Sequence, residues 1–354
     1  MNEIVLQGCT PEPLMSYLKS LGIFRIIAQQ KDPDARSLWK QDTFTIHSSI
    51  VDQEKIQKFF LDEYQPTPIV APWNGGSGFF TGDNKKAIEL ISNSNSPRFT
   101  KYRMVITKVK EVLNINEIKK KPDKEIKKQL LEKYRKGFPD FALDWLDAVY
   151  VLTSENPKFP PILGTGGNDG RLDFTQNFMQ QLLKIIPVYE NAEVDNSNLK
   201  KNSQDWLGLS IFDRGSPKLI QDAAIGQYNP GGSGGANMDR GFNASSLVNP
   251  WDYILMMEGA IVFAGSVARK ISTDSREKAI YPFTVSSSSV GYATAVESEE
   301  TSLSRAEIWV PIWERSISIS ELQHLFSEGR AQFGKYQAKT GLQFVRAISS
   351  LGVD

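Results

Sequence analysis

Residues 249–268 read NPWDYILMMEGAIVFAGSVA, and this apolar stretch decides what kind of fold the chain can have. Asn249 followed by Pro250 predicts a helix start, because asparagine caps free amides and proline fits the first helical turn. The apolar part, Tyr253 to Ala268, is only about 16 residues long and contains Glu258, whereas a membrane-spanning helix needs about 20 apolar residues. The stretch therefore predicts a buried helix in a globular core and no membrane span.

The composition agrees with a folded and soluble protein. Of the 354 residues, 40% are hydrophobic and 23% are charged, which is ordinary for a globular domain. The single cysteine, Cys9, excludes an intramolecular disulfide and is typical of a reducing compartment. The N-terminus has neither the basic start nor the apolar segment of a signal peptide. We therefore expect a cytoplasmic protein.

Helix and strand patterns alternate along the chain and predict an α+β fold with a mixed sheet. A helix pattern starts after Thr10 and ends before Gly22, and residues 44–46 have the composition of a short strand. We place a soft division near residue 150. An N-terminal α+β domain would cover 1–150, and a second α+β region would cover 151–354.

A strongly basic segment lies inside the first of these domains. The whole chain is balanced, with 41 Lys or Arg and 41 Asp or Glu, but residues 101–136 contain 13 basic and 5 acidic residues. The pattern on both sides of Pro122 predicts a helical hairpin that carries these lysines as a basic insertion. Total charge conceals this segregation.

Three segments combine Gly-Gly pairs with an aromatic and a basic residue nearby. They are APWNGGSGFFTG at 71–82, LGTGGNDGRLDF at 163–174 and YNPGGSGGANMDRGF at 228–242. The first two follow a Pro-Ile-aliphatic run and precede a helix pattern, so we expect a strand, a glycine loop and a helix in each. Both miss the dinucleotide fingerprint by one residue, and neither is followed by Gly-Lys-Ser/Thr. No cofactor is predicted.

Few residue types needed for catalysis are present. The chain has two histidines, His47 and His324, and no zinc or nucleophile motif. An alternative function is a Mg²⁺-dependent nuclease or nucleotide-using enzyme that uses the glycine loops with Asp169 and Asp173, because carboxylate oxygens bind this ion. Another alternative is a scaffold whose glycine loops dock protein partners.

Nucleic-acid binding accounts for more of these residues. Glycine amides can approach phosphates, lysines release counterions, aromatic rings stack on bases and asparagines can address base edges. The residues predicted to contact nucleic acid are Trp73, Asn74, Gly75, Gly76, Gly78, Lys85, Lys86, Lys101, Arg103, Lys119, Lys120, Lys121, Gly166, Gly167, Asn168, Arg171, Asn237 and Arg240. The alternatives are that Trp73 packs in the core and that the lysine-rich helices are only a solvated surface.

Several blocks of sequence together resemble one known family. They are LQGCTPEPLMSYLKSLGIFRIIAQQ, PTPIVAPWNGGSGFF, LGTGGNDGRLDFTQNFM, NPWDYILMMEGAIVFAG, EIWVPIW and EGRAQFGKYQAKTGLQFVRAISSLGVD. The family is the large subunit of the CRISPR type I effector complex of subtype I-G, formerly called I-U. The likeness runs in order from about Leu6 to Asp354, and its specificity lies in the succession of long blocks.

The resemblance implies a non-catalytic subunit of an RNA-guided, Cascade-type antiviral complex. Its partners would be the CRISPR guide RNA, target double-stranded DNA, the other Cascade subunits and a separate helicase-nuclease that cleaves. Large subunits of this family read a short motif adjacent to the target and help to open the duplex, while guide pairing selects the sequence. Relatives are longer, so the resemblance also implies an N-terminal portion, a split gene product or a truncated form.

Overall fold

The structure, a computed structural model, describes residues 1–153, 157–163, 173–190, 195–224, 228–233, 245–268, 277–286, 306–329, 332–333, 336–338 and 340–351. It confirms the α+β fold, because helices are combined with small sheets. The helices are α1 (Leu14–Gln30), α2 (Gln53–Asp62), α3 (Lys86–Ser92), α4 (Thr100–Ile115), α5 (Lys124–Gly137), α6 (Leu143–Val149), α7 (Asp173–Ile185), α8 (Ser197–Phe212), α9 (Pro250–Ala260), α10 (Ile319–Ser327) and α11 (Gly341–Leu351). The strands are β1 (Asn2–Leu6), β2 (Arg36–Lys40), β3 (Thr43–Ser48), β4 (Ile220–Ala224), β5 (Ser245–Val248), β6 (Ser266–Ala268), β7 (Lys278–Ile280), β8 (Thr284–Ser286), β9 (Ala306–Ile308), β10 (Ile317–Ser318), β11 (Gln332–Phe333) and β12 (Tyr336–Gln337).

The chain forms two compact units, each built from separate stretches of sequence. The first contains Met1–Trp145, Arg171–Ile261 and Ile312–Ile319, and the second contains Leu146–Gly170, Val262–Pro311 and Ser320–Asp354. The boundary after Trp145 lies close to the division predicted near residue 150. However, residues 151–354 do not form one separate region, because the chain returns to the first unit twice.

Two buried helices, α1 and α9, form the centre of the first unit. Every residue of α1 from Met15 to Ala28 is buried. A β-carbon added to Gly22 would lie 2.0 Å from the carbonyl oxygen of Leu255, and one added to Gly259 would lie 1.8 Å from that of Leu18. A real β-carbon does not come so close to a backbone oxygen. The two helices can therefore cross at this distance only because both contact positions are glycines.

These glycines change the interpretation of the first helix. The expectation that this helix ends before Gly22 is wrong, because α1 continues to Gln30. A glycine in a helix pattern often marks its end, but Gly22 is the point where α9 crosses. The predicted buried helix after Asn249 is confirmed as α9, and the Asn249 side chain accepts a hydrogen bond from the Trp251 amide at 3.0 Å.

The fully buried carboxylate of Glu258 is held in α9 by a complete polar network. Its Oε2 lies 2.8 Å from Arg25 Nη1 on α1. It also accepts hydrogen bonds from the Tyr64 hydroxyl at 2.6 Å, the Thr67 amide at 2.8 Å and the Thr67 hydroxyl at 2.6 Å. A buried charge is costly unless it is paired and hydrogen-bonded, so these four partners explain why an apolar helix tolerates it.

Residues 66–70 pass through this core without joining a sheet. Two of their backbone oxygens accept hydrogen bonds from side chains: that of Ile69 from the Tyr102 hydroxyl at 2.8 Å, and that of Val70 from Trp145 Nε1 at 2.7 Å. The strand predicted before the first glycine loop is therefore wrong. The strand predicted before the second loop is also wrong, because Pro161–Leu163 is a single 3₁₀ turn.

The main sheet belongs to the first unit and has the strand order β1-β3-β2-β10. Its pairings are all antiparallel, so the prediction of a mixed sheet is wrong. The strand predicted at 44–46 is confirmed within β3. Trp39 on β2 stacks on Tyr17 of α1 with ring centroids 5.7 Å apart. Trp313, which is distant in the sequence, packs against Trp39, and its Nε1 donates a hydrogen bond to the Ser37 carbonyl at 2.9 Å.

The second unit is built from antiparallel pairs and an aromatic cluster. β6 pairs with β7, β8 with β9 and β11 with β12. Phe283 makes edge contacts with Phe326 of α10 and Phe344 of α11, with ring centroids 5.4 and 6.5 Å apart. Across the described ranges, no helix is both long enough and apolar enough to cross a membrane.

We predict that Gly259→Ala destabilises the protein by at least about 1–3 kcal/mol, because its methyl group would overlap the Leu18 carbonyl and force α1 and α9 apart. Urea unfolding measures the loss. The matched control is Gly208→Ala in α8, where the nearest atom would be Gln57 Nε2 at 3.6 Å. This control should be neutral or gain about 0.5–1 kcal/mol, since alanine favours a helix over glycine. Equal stability of the two variants would contradict the close helix crossing.

We predict that Glu258→Gln lowers the free energy of unfolding by about 3–5 kcal/mol, because Arg25 loses its buried counter-charge. The control is Glu63→Gln, which breaks the exposed pair with Lys31 and should cost about 1 kcal/mol or less. Chemical denaturation of both variants at one pH gives the comparison. A small loss at Glu258 would show that the buried pair does not stabilise the core.

Candidate nucleic-acid interface

The first glycine loop, defined as residues 74–83, folds around a carboxylate of its own. Asp83 Oδ1 accepts the Gly76 amide at 3.0 Å, and Oδ2 accepts the Gly78 amide at 2.9 Å and the Phe80 amide at 3.2 Å. Gly76 and Gly78 have φ values of 79° and 91°, a conformation that side chains disfavour. These turns aim alternate amides at one point and make an anion-binding nest.

Because Asp83 occupies this nest, the prediction that the Gly76 and Gly78 amides contact phosphate is wrong. The glycines are needed for the left-handed backbone that brings the amides to the carboxylate. The loop is therefore a structural element held together by its own carboxylate. Its contribution to a surface must come from the side chains that it supports.

Trp73 is fully buried and packs against Tyr134 of α5, with ring centroids 6.2 Å apart. The prediction that Trp73 stacks on a base or wedges a base pair is wrong, and the alternative that it packs in the core is confirmed. Asn74 is also buried, and its Oδ1 accepts a hydrogen bond from Lys127 Nζ at 2.6 Å. The prediction that Asn74 addresses a base edge is therefore wrong as well.

The predicted helical hairpin is confirmed, and its turn packs against the first glycine loop. Helices α4 and α5 flank Pro122. The Lys119 carbonyl accepts the Thr81 amide at 3.0 Å and the Thr81 hydroxyl at 3.1 Å. A β-carbon added to Gly75 would lie 3.1 Å from Lys121 Cδ, so the methylenes of Lys121 lie over Gly75. The structure thus brings together the glycine loop and the basic insertion, which lie about 40 residues apart in the sequence.

The turn of this hairpin exposes a run of positive charge. We call its exposed members the lysine turn: Lys119, Lys120, Lys121 and Lys124. Within the described residues, none of the four forms an ion pair with a carboxylate. The nearby Asp123 carboxylate caps α5 by accepting the Ile126 amide at 2.9 Å. The lysine turn therefore presents four ammonium groups to solvent, with the exposed carboxylates Glu117, Asp123 and Glu125 near them in the sequence.

The other predicted cations lie in different settings. Lys85 and Lys86 are exposed at the start of α3, directly after the first glycine loop. Lys101 is half-buried, and its ammonium lies 5.7 Å from the centre of the Phe141 ring, which is a cation–π distance. The contact of these three lysines with nucleic acid stays a prediction.

Arg103 has a structural role inside the protein. Its Nη1 donates to the carbonyls of Ser94 at 3.0 Å and Ser96 at 2.7 Å, and its Nη2 donates to the Thr100 hydroxyl at 3.0 Å. The guanidinium therefore fixes the turn that leads into α4. The prediction that it contacts nucleic acid does not fit this geometry.

The remaining predicted residues cannot be placed. Gly166, Gly167, Asn168, Arg171, Asn237 and Arg240 lie outside the described residues. The described beginning of the third glycine segment is a turn in which Asn229 Oδ1 accepts the Gly232 amide at 3.1 Å. Asp169, which the enzyme alternative would use, also lies outside the described residues. Over the part of the chain that the structure describes, no group of three or more His, Cys, Asp or Glu is placed to hold a metal ion.

Lys127 is one of the hairpin lysines expected to attract nucleic acid, but its half-buried position beside the first glycine loop was not predicted. It lies on the same face of α5 as the buried residues Leu130, Leu131 and Tyr134, and it is itself half-buried. Burial, together with the smaller effect of the positive charge of Lys121, lowers the pKa of Lys127 to about 8. The sequence contains a signal for this position, because Leu130, Leu131 and Tyr134 follow Lys127 by three, four and seven residues. Residues with this spacing lie on one face of a helix.

We predict that Asp83→Asn opens the first glycine loop, because an asparagine side chain has one carbonyl oxygen and cannot hold three amides as a carboxylate does. Hydrogen exchange at Gly76, Gly78 and Phe80 should accelerate by roughly tenfold or more. The control is Asp123→Asn, which keeps its helix cap because asparagine caps as well as aspartate. Unchanged protection in the Asp83 variant would contradict the nest.

Comparisons with known proteins leave the family open. No family model matches the chain, and no curated protein matches it either. The resemblance to type I-G large subunits therefore stays a prediction at this point.

Proposed function

We propose that this chain is a non-catalytic, nucleic-acid-binding large subunit of an RNA-guided CRISPR complex of type I-G. The observation that carries the proposal is the lysine turn: four exposed lysines on a turn that is hydrogen-bonded to the first glycine loop, none of which forms an ion pair with a carboxylate among the described residues. The resemblance of the sequence blocks supplies the type of complex. The cytoplasm is the proposed location.

The charge of the lysine turn suits a polyanion better than it suits a protein surface of mixed charge. Lysines that neutralise phosphates release the counterions condensed on the nucleic acid, and this release favours binding of any sequence. The turn is held in place by Thr81 and Gly75 of the first glycine loop, so its lysines start from a fixed backbone. Such a surface positions a nucleic-acid backbone and carries no base information.

In the proposed complex, sequence choice comes from pairing between the CRISPR guide RNA and the target strand. The subunit would hold the backbone of the guide or of the target duplex, close to the adjacent motif, and assist strand opening. The other Cascade subunits would complete the assembly, and a separate helicase-nuclease would cleave. The buried Trp73 and Asn74 take no part in reading the motif.

We predict that replacing all four residues of the lysine turn with glutamine weakens binding to duplex DNA and to RNA of every sequence. Each lost phosphate contact should lower the slope of log affinity against log salt by about 0.9 on duplex DNA. The matched control replaces four exposed lysines elsewhere in the first unit, Lys55, Lys200, Lys201 and Lys218, with glutamine. Fluorescence anisotropy at several salt concentrations measures both. An equal loss in both variants would contradict a localised interface.

The assembly itself is tested by co-expression with a CRISPR guide RNA and the backbone subunits of a type I-G system. We expect the chain to co-purify with this complex after washing at moderate salt. Failure to co-purify would contradict the proposed complex while leaving nucleic-acid binding in place. Turnover of labelled DNA, RNA or ATP with Mg²⁺ by the purified chain would overturn the non-catalytic role.

A further inference from the structure

Next to the exposed lysine turn, two lysines come together at the first glycine loop. Lys121 lies over Gly75 from the turn, and Lys127 approaches from α5 and donates to Asn74 Oδ1 at 2.6 Å. The positive charge of Lys121 also contributes to the lowered pKa of Lys127. Adjacent residues of one loop, Asn74 and Gly75, therefore contact two lysine side chains.

Holding two ammonium groups together opposes the ordinary tendency of charges of one sign to separate. Lys127 is also half-buried, and moving an ammonium out of water disfavours its charge. Both effects lower the pKa of Lys127 to about 8. An anion placed between the two lysines would reverse both effects at once.

We propose that Lys121 and Lys127, with Asn74 as the positioning residue, form a binding site for one phosphate group. The ligand chemistry is a phosphate monoanion or dianion, either a phosphodiester of a nucleic-acid backbone or free inorganic phosphate. The choice of a phosphodiester as the ligand rests on the proposed function. In that case Lys127 binds one phosphate at a defined position, whereas Lys119, Lys120 and Lys124 attract the nucleic-acid backbone without fixing its position.

The geometry gives each residue a separate part in the site. An ammonium has three N–H donors, so a phosphate oxygen can bind Lys127 Nζ alongside its bond to Asn74. Lys121 adds a second donor from the exposed side. Asn74 is buried and fixed beside Trp73, so it holds Nζ at one place. Gly75 lacks a side chain, which lets Lys121 lie across the loop.

A tyrosine and two carboxylates are other ionisable groups at this end of α5. Burial raises the pKa of Tyr134, which packs on Trp73 beneath the site, far above the range where Lys127 titrates. Asp123 and Glu125 are exposed carboxylates on the first turn of α5, and the Asp123 carboxylate is bonded to the Ile126 amide. Lys121 is a charged group whose field lowers the pKa of Lys127.

The site makes phosphate binding depend on pH with a definite sign. Below about pH 8 Lys127 is already protonated, so a phosphate binds without taking up a proton. Above about pH 8 the free protein loses this proton and the complex retains it, so affinity falls by up to about tenfold per pH unit.

The experiment compares Lys127→Met with Lys124→Met, which removes the same charge from an exposed position on the same helix. Binding of fluorescent oligo-dA, whose bases have no proton to lose in this range, is measured from about pH 7 to about pH 9. At the lower pH, Lys127→Met should lose roughly tenfold or more in affinity, and Lys124→Met about fivefold or less. The fall in affinity with pH should persist in Lys124→Met and disappear in Lys127→Met.

A second variant keeps the test decisive if Lys127→Met unfolds. Asn74→Asp changes one polar group, places a carboxylate where Oδ1 now lies 2.6 Å from Lys127 Nζ, and satisfies that charge internally. It should lose oligo-dA affinity as Lys127→Met does, with an unchanged circular dichroism spectrum. If Asn74→Asp is folded and binds oligo-dA as tightly as the unmodified chain, the site is overturned.

Inorganic phosphate separates failure of the site from failure of the proposed function. Thermal unfolding is measured in sodium phosphate and in sodium chloride of equal ionic strength. One outcome is that the unmodified chain does not bind oligo-dA, but that phosphate raises its unfolding temperature more than it raises that of the Lys127→Met variant. In that case the proposed function fails, and the site is supported as a site for free phosphate. If oligo-dA binds with equal losses in Lys127→Met and Lys124→Met and an unchanged pH profile, the site is overturned and the basic surface stands. If neither ligand distinguishes the variants, the site is overturned.

Discussion

The crossing of α1 and α9 at Gly22 and Gly259 determines where the rest of the first unit can lie. Because the two backbones meet without side chains between them, Glu258 on α9 comes within ion-pair distance of Arg25 on α1. The same carboxylate binds the amide and hydroxyl of Thr67. That contact holds residues 66–70 in the core, and the first glycine loop follows a few residues later. The helix crossing at Gly22 and Gly259 is thus linked to the lysine turn through the hydrogen bonds of Glu258 with Thr67 and of Thr81 with Lys119.

The first glycine loop shows how a glycine-rich sequence can bind an anion without being a ligand site. Its positive φ values are those of phosphate-binding nests, and its amides converge in the same way, but the anion is Asp83 from the same loop. The loop then acts as a firm platform for neighbouring side chains. Lys121 lies across it and Lys127 is bonded to it, so the basic character of the surface comes from the hairpin that packs on the loop.

The sequence was sufficient to predict elements whose pattern is local. The α+β class, the buried helix after Asn249 and the helical hairpin around Pro122 all follow from periodicity and caps. The failures arise where distant contacts decide. Gly22 resembles a helix end but is a crossing point for a helix more than 230 residues away, and residues 66–70 resemble a strand but bond to side chains of distant helices. Likewise, Trp73 and Asn74 looked accessible only because α5, which covers them, comes more than 50 residues later.

The discontinuous first unit has a consequence for the synthesis of the chain. A ribosome releases α1 and β2 long before α9 and the segment Ile312–Ile319 exist, yet α1 needs α9 and the free edge of β2 needs β10. On the nascent polypeptide, the apolar helix α1 stays uncovered until Ala260 has emerged, and the edge of β2 stays uncovered until Ser318 has emerged. Many contacts of this unit therefore join residues that are far apart in the sequence, which gives it a high contact order. The uncovered surfaces favour binding of a chaperone during translation.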